Sequence, residues 1–204
     1  MKLLTRTTPH IADVQRADHE RLDRLLTEYE NDGESDRAAT YQSIVTLVTT
    51  HAFAEESVLF PAARRLIKTG EITTGDIEGK HQRINELMLE MHAAKPGEPS
   101  FEARRAELFP LLRADVREEE DVLLAALARS TDEWQLRAIG AAWSAAKVIA
   151  PNRPHPNIPR RPPGNVLAAV PLTVSDHIRR AVAWGPVRAQ RSGSDKGSAG
   201  EPTI

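Results

Sequence analysis

The sequence predicts an all-α chain: an up-down-up-down four-helix bundle with one extra helix and an extended Pro-rich C-terminal strap. Three observations lead there. Over residues 1–150 the apolar positions recur with the 3.6-residue period of helices, with little of the alternation that strands require. The periodic stretches are joined by short connections, which favour antiparallel neighbours. Finally, nine of the fourteen prolines lie after residue 150, and residues 151–204 carry eight Lys+Arg against three Asp+Glu. The remaining 19 basic and 26 acidic residues fall in 1–150, so the net charge of −2 averages an acidic body and a basic tail.

The first helix is expected from Pro9 to about Glu30, stopped by Asn31-Asp32-Gly33. The second begins after Ser35 and reaches Pro61, where the missing N–H should kink or break it, with a short continuation to Ile67. The third starts near Thr74, with Asp76 and Glu78 favourable to its N-terminal dipole, and ends before Pro96-Gly97. The fourth runs from Ser100 to about Ser130, bent by Pro110. Residues 1–130 thus form the bundle. An accessory helix within 131–150 covers one side of it with Trp134, Leu136, Ile139 and Trp143. Residues 151–190 read as a basic strap of polyproline character, with a short amphipathic segment at 174–184. Residues 191–204 read as disordered.

Composition excludes several functions. With no cysteine there is no disulfide scaffold, thiolate metal site or thiol nucleophile. Aromatic residues make up only 4%, too few for a stacking surface on single-stranded nucleic acid, and no nucleic-acid partner is expected. No stretch approaches the ~18 apolar residues of a membrane span. The start, MKLLTRTTPHIAD, has too short an apolar run for a signal peptide, so a cytoplasmic location is expected. Gly-rich phosphate loops, nucleophile elbows and helix-turn-helix signals are lacking.

The chemistry lies in the helix stripes. The core-facing positions of the second helix are Ile44, Leu47, Val48, His51, Glu55, Val58 and Leu59. Adding 64 gives Leu108, Leu111, Leu112, Asp115, Glu119, Val122 and Leu123, the same pattern with polar residues at the same two places. The first and third helices repeat at an offset of 62. Gln15, His19, Leu22, Leu25, Leu26 and Tyr29 map onto Ile77, His81, Ile84, Leu87, Met88 and Met91. The body is an internally repeated helix pair.

In one bundle, His19, His51, Glu55, His81, Asp115 and Glu119 all point inward. A single core histidine is more often a satisfied hydrogen-bond partner than a ligand. A buried carboxylate, however, costs several kcal/mol unless neutralised, and no Lys or Arg lies among these six. Three imidazoles and three carboxylates at repeat-related positions favour a metal. Two carboxylates from facing helices can bridge two cations, with His and Asp in terminal positions. Imidazole plus carboxylate suits iron or manganese, and a lone tetrahedral zinc would not use six candidates.

His19 in ADHERLDRLL, His51 and Glu55 in HAFAEESVLFP, and His81 in KHQRINELMLEM resemble the HHE-type hemerythrin-like family, as does DVREEEDVLLAAL further on. The resemblance covers about residues 8–130 and is most specific in the His-x-x-x-Glu-Glu run ending in Leu-Phe-Pro. It implies a four-helix bundle with a non-haem di-iron centre that binds, senses or reacts with dioxygen, peroxide or nitric oxide. By position Glu55 and Glu119 would bridge, His19 and His51 would ligate one iron, and His81 the other. Where the family pattern has His, this chain has Asp115. Either Asp115 is a substitution in place, or helix 4 is shifted and Glu118 is the rival ligand. An added anionic donor favours ferric over ferrous iron, or manganese, or leaves one position weak. Peroxide disproportionation, iron or oxygen sensing, and an interaction bundle with a degraded site all remain open. His10 and His92 are expected in solvent, and His155 and His177 in the tail. Tyr29 and Tyr41 are either donors near the site or, preferably, core packing.

Overall fold

Helix α1 (Ile11–Asn31) buries Ile11, Gln15, His19, Leu22, Leu26 and Tyr29, a spacing of three and four residues that sets all six on one face. Helix α2 comprises Glu34–Ala54, a π turn at Glu55–Leu59, and Phe60–Leu66. Helix α3 spans Gly70–His92. Helix α4 comprises Pro99–Glu118, a second π turn at Glu119–Leu124, and Ala125–Ser130. Helix α5 spans Glu133–Ile149, with the Asp132 carboxylate capping it by accepting the Gln135 N–H at 2.8 Å. This computed structural model describes residues 8–31 and 34–152, all helix and connection. The Asp32-Gly33 stop and nearly all of the expected strap and tail lie outside the described residues, as do His155, His177 and the 174–184 segment.

α1 packs on α2 and α3 on α4, and the two hairpins close into the expected four-helix bundle. α5 lies against α1, α2 and the π turn of α2. None of the described helices is long and apolar enough to cross a membrane. The hydrophobic core is in two parts. One contains Leu22, Leu26, Ile44, Val48, Ile84, Leu87, Leu108 and Leu112, and the other Ile11, Leu59, Phe60, Ile77, Leu123, Leu127 and Trp143. Between them, on every helix of the bundle, sits a layer of ionisable side chains.

Several expectations are corrected. The chain does not break at Pro61. The helix widens just before it, with the Phe60 N–H donating to Glu55 O, and then continues past a residue that has no N–H to place. Pro110 is expected only to bend its helix, and the helix does run on through it. The π turns start at Glu55 and Glu119, the two positions related by the 64-residue repeat. Each adds a residue to its turn and shifts the phase of the stripe beyond it. Val58 is therefore only half-buried and Val122 exposed, although both were expected in the core, whereas Phe60 and Leu124 are buried. α3 begins four residues before Thr74. The Thr74 hydroxyl donates to Gly70 O at 2.8 Å within the helix, and Glu71 is the acidic residue of the first turn. On α5, Leu136, Gly140, Trp143 and Ala146 face inward, which turns Trp134 to solvent at 76% exposure. His10 is not solvated: its Nδ1 accepts the Ala12 N–H at 3.0 Å, and its Nε2 lies 3.6 Å from Glu133. His92 is exposed. Tyr29 and Tyr41 pack with Phe101, away from the polar layer.

Gly140 sets the seat of α5. A Cβ there would lie 2.3 Å from Pro9 O and 2.8 Å from Ile11 N, backbone atoms that cannot swing away. Gly140→Ala is expected to destabilise the protein by about 1–3 kcal/mol, despite the better helix propensity of alanine. At Gly79 nothing lies within 4 Å of the added carbon. Gly79→Ala should therefore stabilise the protein by up to ~1 kcal/mol. Urea denaturation midpoints of the two variants should move in opposite directions.

Candidate metal centre

Each helix of the bundle supplies part of the layer: Gln15, Asp18 and His19 from α1, and His51, Glu55 and Glu56 from α2. His81 comes from α3, and Asp115, Glu119 and Glu120 from α4. The six side chains expected to converge do so. Glu119 spans the middle: its Oε2 lies 3.0 Å from His19 Nε2 and 3.6 Å from His51 Nε2, while its Oε1 lies 3.6 Å from His81 Nε2. Glu55 spans the same gap from the other side. Its Oε1 lies 3.4 Å from His51 Nε2 and accepts from Gln15 Nε2 at 2.9 Å, and its Oε2 lies 3.5 Å from His81 Nε2. Asp115 Oδ2 is 3.3 Å from His81 Nε2.

Two triads have donor atoms within 4.8 Å of one another, His19–His51–Glu119 and Glu55–His81–Glu119. Both could hold a cation, and they share Glu119. Glu55 and Glu119 are almost wholly buried, at 0% and 2% exposure. Glu55 Oε2 and Asp115 Oδ1 are buried without a hydrogen-bond partner. Acceptor oxygens left unsatisfied in a core are costly, and a cation between the carboxylates would satisfy them. Glu118, the rival to Asp115, points away and pairs with Lys80.

The outer nitrogens of the three imidazoles are also held. His19 Nδ1 lies 2.7 Å from Glu120 Oε1, His51 Nδ1 3.0 Å from Asp18 Oδ2, and His81 Nδ1 2.9 Å from Glu56 Oε1. A carboxylate on Nδ1–H fixes the tautomer and turns the Nε2 lone pair inward, the usual support of a metal-bound histidine. α5 adds a further tier. Lys147 pairs with Asp18, and the Trp143 ring stands edge-on to His51 at 5.5 Å. Asp18, Glu56, Glu120 and Lys147 escape a reading confined to the inward stripe. The doublets Glu55-Glu56 and Glu119-Glu120, themselves 64 residues apart, carry a signal for two of them.

Electrostatics follows from this crowding. Burial opposes charge on His51 and His81, but the carboxylates around them prevail and raise both well above 6.5: Glu55, Asp18 and Glu119 for His51, Asp115, Glu119 and Glu56 for His81. His19 is raised in the same way, by Glu119 and Glu120 against burial. Burial likewise opposes charge on Glu119, yet the three imidazoles hold its carboxyl well below 4.5. Burial and the neighbouring Glu119 push Glu55 up. Without a metal, protonated imidazoles supply the positive charge that the carboxylates require.

Beside the layer lies a cavity of about 30 Å³, bounded by His19, His51, His81 and Asp115 on one side. Its other walls include Leu22, Leu47, Val48, Ile84 and Leu112. It has room for about two water-sized molecules.

Comparison with known proteins agrees with this layout. A crystal structure of a hemerythrin HHE cation binding domain-containing protein from Mycobacterium kansasii shares the fold, with a TM-score of 0.61 at 15% identity. The match covers 69% of this chain and 86% of that one. A protein of Nostoc sp. (strain PCC 7120 / SAG 25.82 / UTEX 2576) named as a DNA nickase is 30% identical over 139 residues, which are 68% of this chain. The chain spans only 39% of that relative's length. The family profile of the hemerythrin HHE cation binding domain matches residues 10–127, and the chain belongs to that family.

Proposed function

We propose that this protein holds two iron ions in the polar layer and offers them to a small oxygen species: dioxygen, peroxide or nitric oxide. The observation that carries the reading is the cavity of about 30 Å³ beside the imidazoles, walled elsewhere mainly by apolar side chains, a space that suits a di- or triatomic ligand. Glu55 and Glu119, each reaching His51 with one oxygen and His81 with the other, would be shared by the two ions. His19 and His51 serve one ion, His81 and Asp115 the other. Iron, when bound, supplies redox chemistry and Lewis acidity.

The chain's own residues prepare the site for this work. Asp18, Glu56 and Glu120 keep the Nδ1 protons in place, so that each ring presents Nε2. Gln15 steadies Glu55 with its amide N–H. Leu22, Leu47, Val48, Ile84 and Leu112 exclude bulk water and leave the ligand a weakly polar chamber. Hydrolytic nicking of DNA, the activity in the Nostoc relative's name, would require a phosphodiester to reach ligands whose side chains are at most 12% exposed. That burial favours a small diffusible ligand.

Metal analysis after anaerobic Fe(II) loading should give two ions per chain. Glu119→Gln, which removes charge shared by both halves, should lower this to one or fewer while the helical circular dichroism persists. A wild-type protein that takes up no metal would sink the proposal.

The raised imidazoles give a pH dependence whose sign is fixed. A folded-state pKa above 6.5 stabilises the chelated protein fully below about pH 6.5, and that contribution fades as pH rises through the raised values of His51 and His81. Metal competes with those same protons. The melting temperature of the loaded protein minus that of the chelated protein should therefore widen from about pH 6 to about pH 9.

Val48→Phe should fill the cavity at a cost of about 1–3 kcal/mol. It should leave the iron content unchanged and slow azide binding, followed optically, by at least about tenfold, or 1.4 kcal/mol.

A further inference from the structure

The repeat relates the ionisable side chains of the two halves one by one, and among them it fails at one pair, although Gln15, which donates to Glu55 at 2.9 Å, also has only Ile77 as its counterpart. His19 corresponds to His81, and their outer carboxylates Glu120 and Glu56 correspond too, at 2.7 and 2.9 Å. Glu55 corresponds to Glu119, and a π turn starts at each. The exception is the pair His51–Asp18, joined at 3.0 Å. At offsets of 64 and 62 its counterparts are Asp115 and Lys80. Both members change, and in opposite senses of charge: the imidazole becomes a carboxylate, and the carboxylate behind it becomes an ammonium. Loss of function at a single ligand would alter one position and leave an acid at 80 facing an acid at 115. Instead Lys80 stands close enough to act on Asp115 as a cation while pairing with Glu118, one turn along the same helix. Asp115 itself is buried, directed at His81 Nε2, with Oδ1 lacking any hydrogen-bond partner.

We propose that the two metal positions are chemically unequal by design, and that the Lys80-balanced position formed by His81 and Asp115 selects a harder, more oxygen-preferring cation than the position formed by His19 and His51. The inference rests on the two-ion reading above. The first position presents two imidazoles with the shared Glu55 and Glu119, a set suited to ferrous iron. The second presents one imidazole and three carboxylates, a set that suits manganese(II) and narrows the advantage that iron(II) holds over it. Lys80 limits the extra negative charge that Asp115 brings into the core. Loading is sequential, the imidazole-rich position filling with Fe(II) first, and a mixture in which Fe(II) is limiting gives one ion of each.

The test uses the full chain, stripped with chelator and titrated anaerobically. Calorimetric addition of Fe(II) should resolve two steps at least tenfold apart in affinity. With one Fe(II) per chain and Mn(II) in excess, metal analysis should find about one of each per chain, and anomalous diffraction at the manganese edge should locate the manganese beside His81 and Asp115. The double variant Asp115→His with Lys80→Asp copies the first half into the second. It should bind two irons in indistinguishable steps and lose its manganese. Asp115→Asn, nearly isosteric, gives a check that does not depend on the double variant folding: it should keep one iron and release the second-position ion. Two equivalent iron steps in the wild type, manganese spread over both positions, or an unchanged second-position ion in Asp115→Asn would overturn the inequality and leave the two-ion reading standing. Failure to bind any metal would instead remove the two-ion reading itself.

Discussion

Everything in this bundle is arranged around charge that cannot be left alone in a low-dielectric core. Glu55, Glu119 and Asp115 are carried inward by α2 and α4, within a four-helix bundle that buries apolar side chains above and below them. Their mutual repulsion and lost hydration cost several kcal/mol unless positive charge is supplied. The three imidazoles supply it as protons in the absence of metal, and a cation can take their place. The two-part core, the carboxylates behind each ring and the close seat of α5 are all ways of keeping water out while satisfying that demand.

The π turns show how far the backbone yields to the site. In a regular helix successive residues stand about 100° apart, and the widened turn brings Glu55 and Glu56, both buried, closer together in direction. The widened turn lets one carboxylate reach the centre while its neighbour reaches the back of His81. The same turn on α4 does this with Glu119 and Glu120 on His19. One backbone device, used twice, gives two consecutive glutamates two different tasks.

Much of this was legible in the sequence because it follows from periodicity. The 62- and 64-residue offsets pick out the helix pairs and the six inward polar groups, whose donor atoms lie 3.0–3.6 Å from their neighbours in the bundle. Beyond Glu55 and Glu119 the same reasoning holds for Leu59 and Leu123, which are buried, and fails for their neighbours. A fixed 3.6-residue period cannot register an inserted residue, so Val58 and Val122 were assigned to the core in error. Asp18, Glu56 and Glu120 lie off the apolar stripe, where acids ordinarily face solvent, and only the third dimension brings them behind the rings. Trp134 and Trp143 are alike in composition terms and opposite in fate, because the face α5 presents is set by its contact with α1 and α2. The start of α3 differs because Asp76 and Glu78 read as acids of its first turn, whereas Glu71 fills that place and the Thr74 hydroxyl bonds back within the helix.

The link from Lys147 to Asp18 joins residues 129 apart in the chain, nearly the whole length of the described structure. Contacts of such separation close late in folding, since their loop entropy must be met before they form. His51 therefore receives its final support only after the last described helix has been made and docked. During synthesis the four-helix bundle can gather its carboxylates and imidazoles while one wall is still open. Docking of α5 closes that wall, so the side chain that backs Asp18 comes from the last described helix to be made.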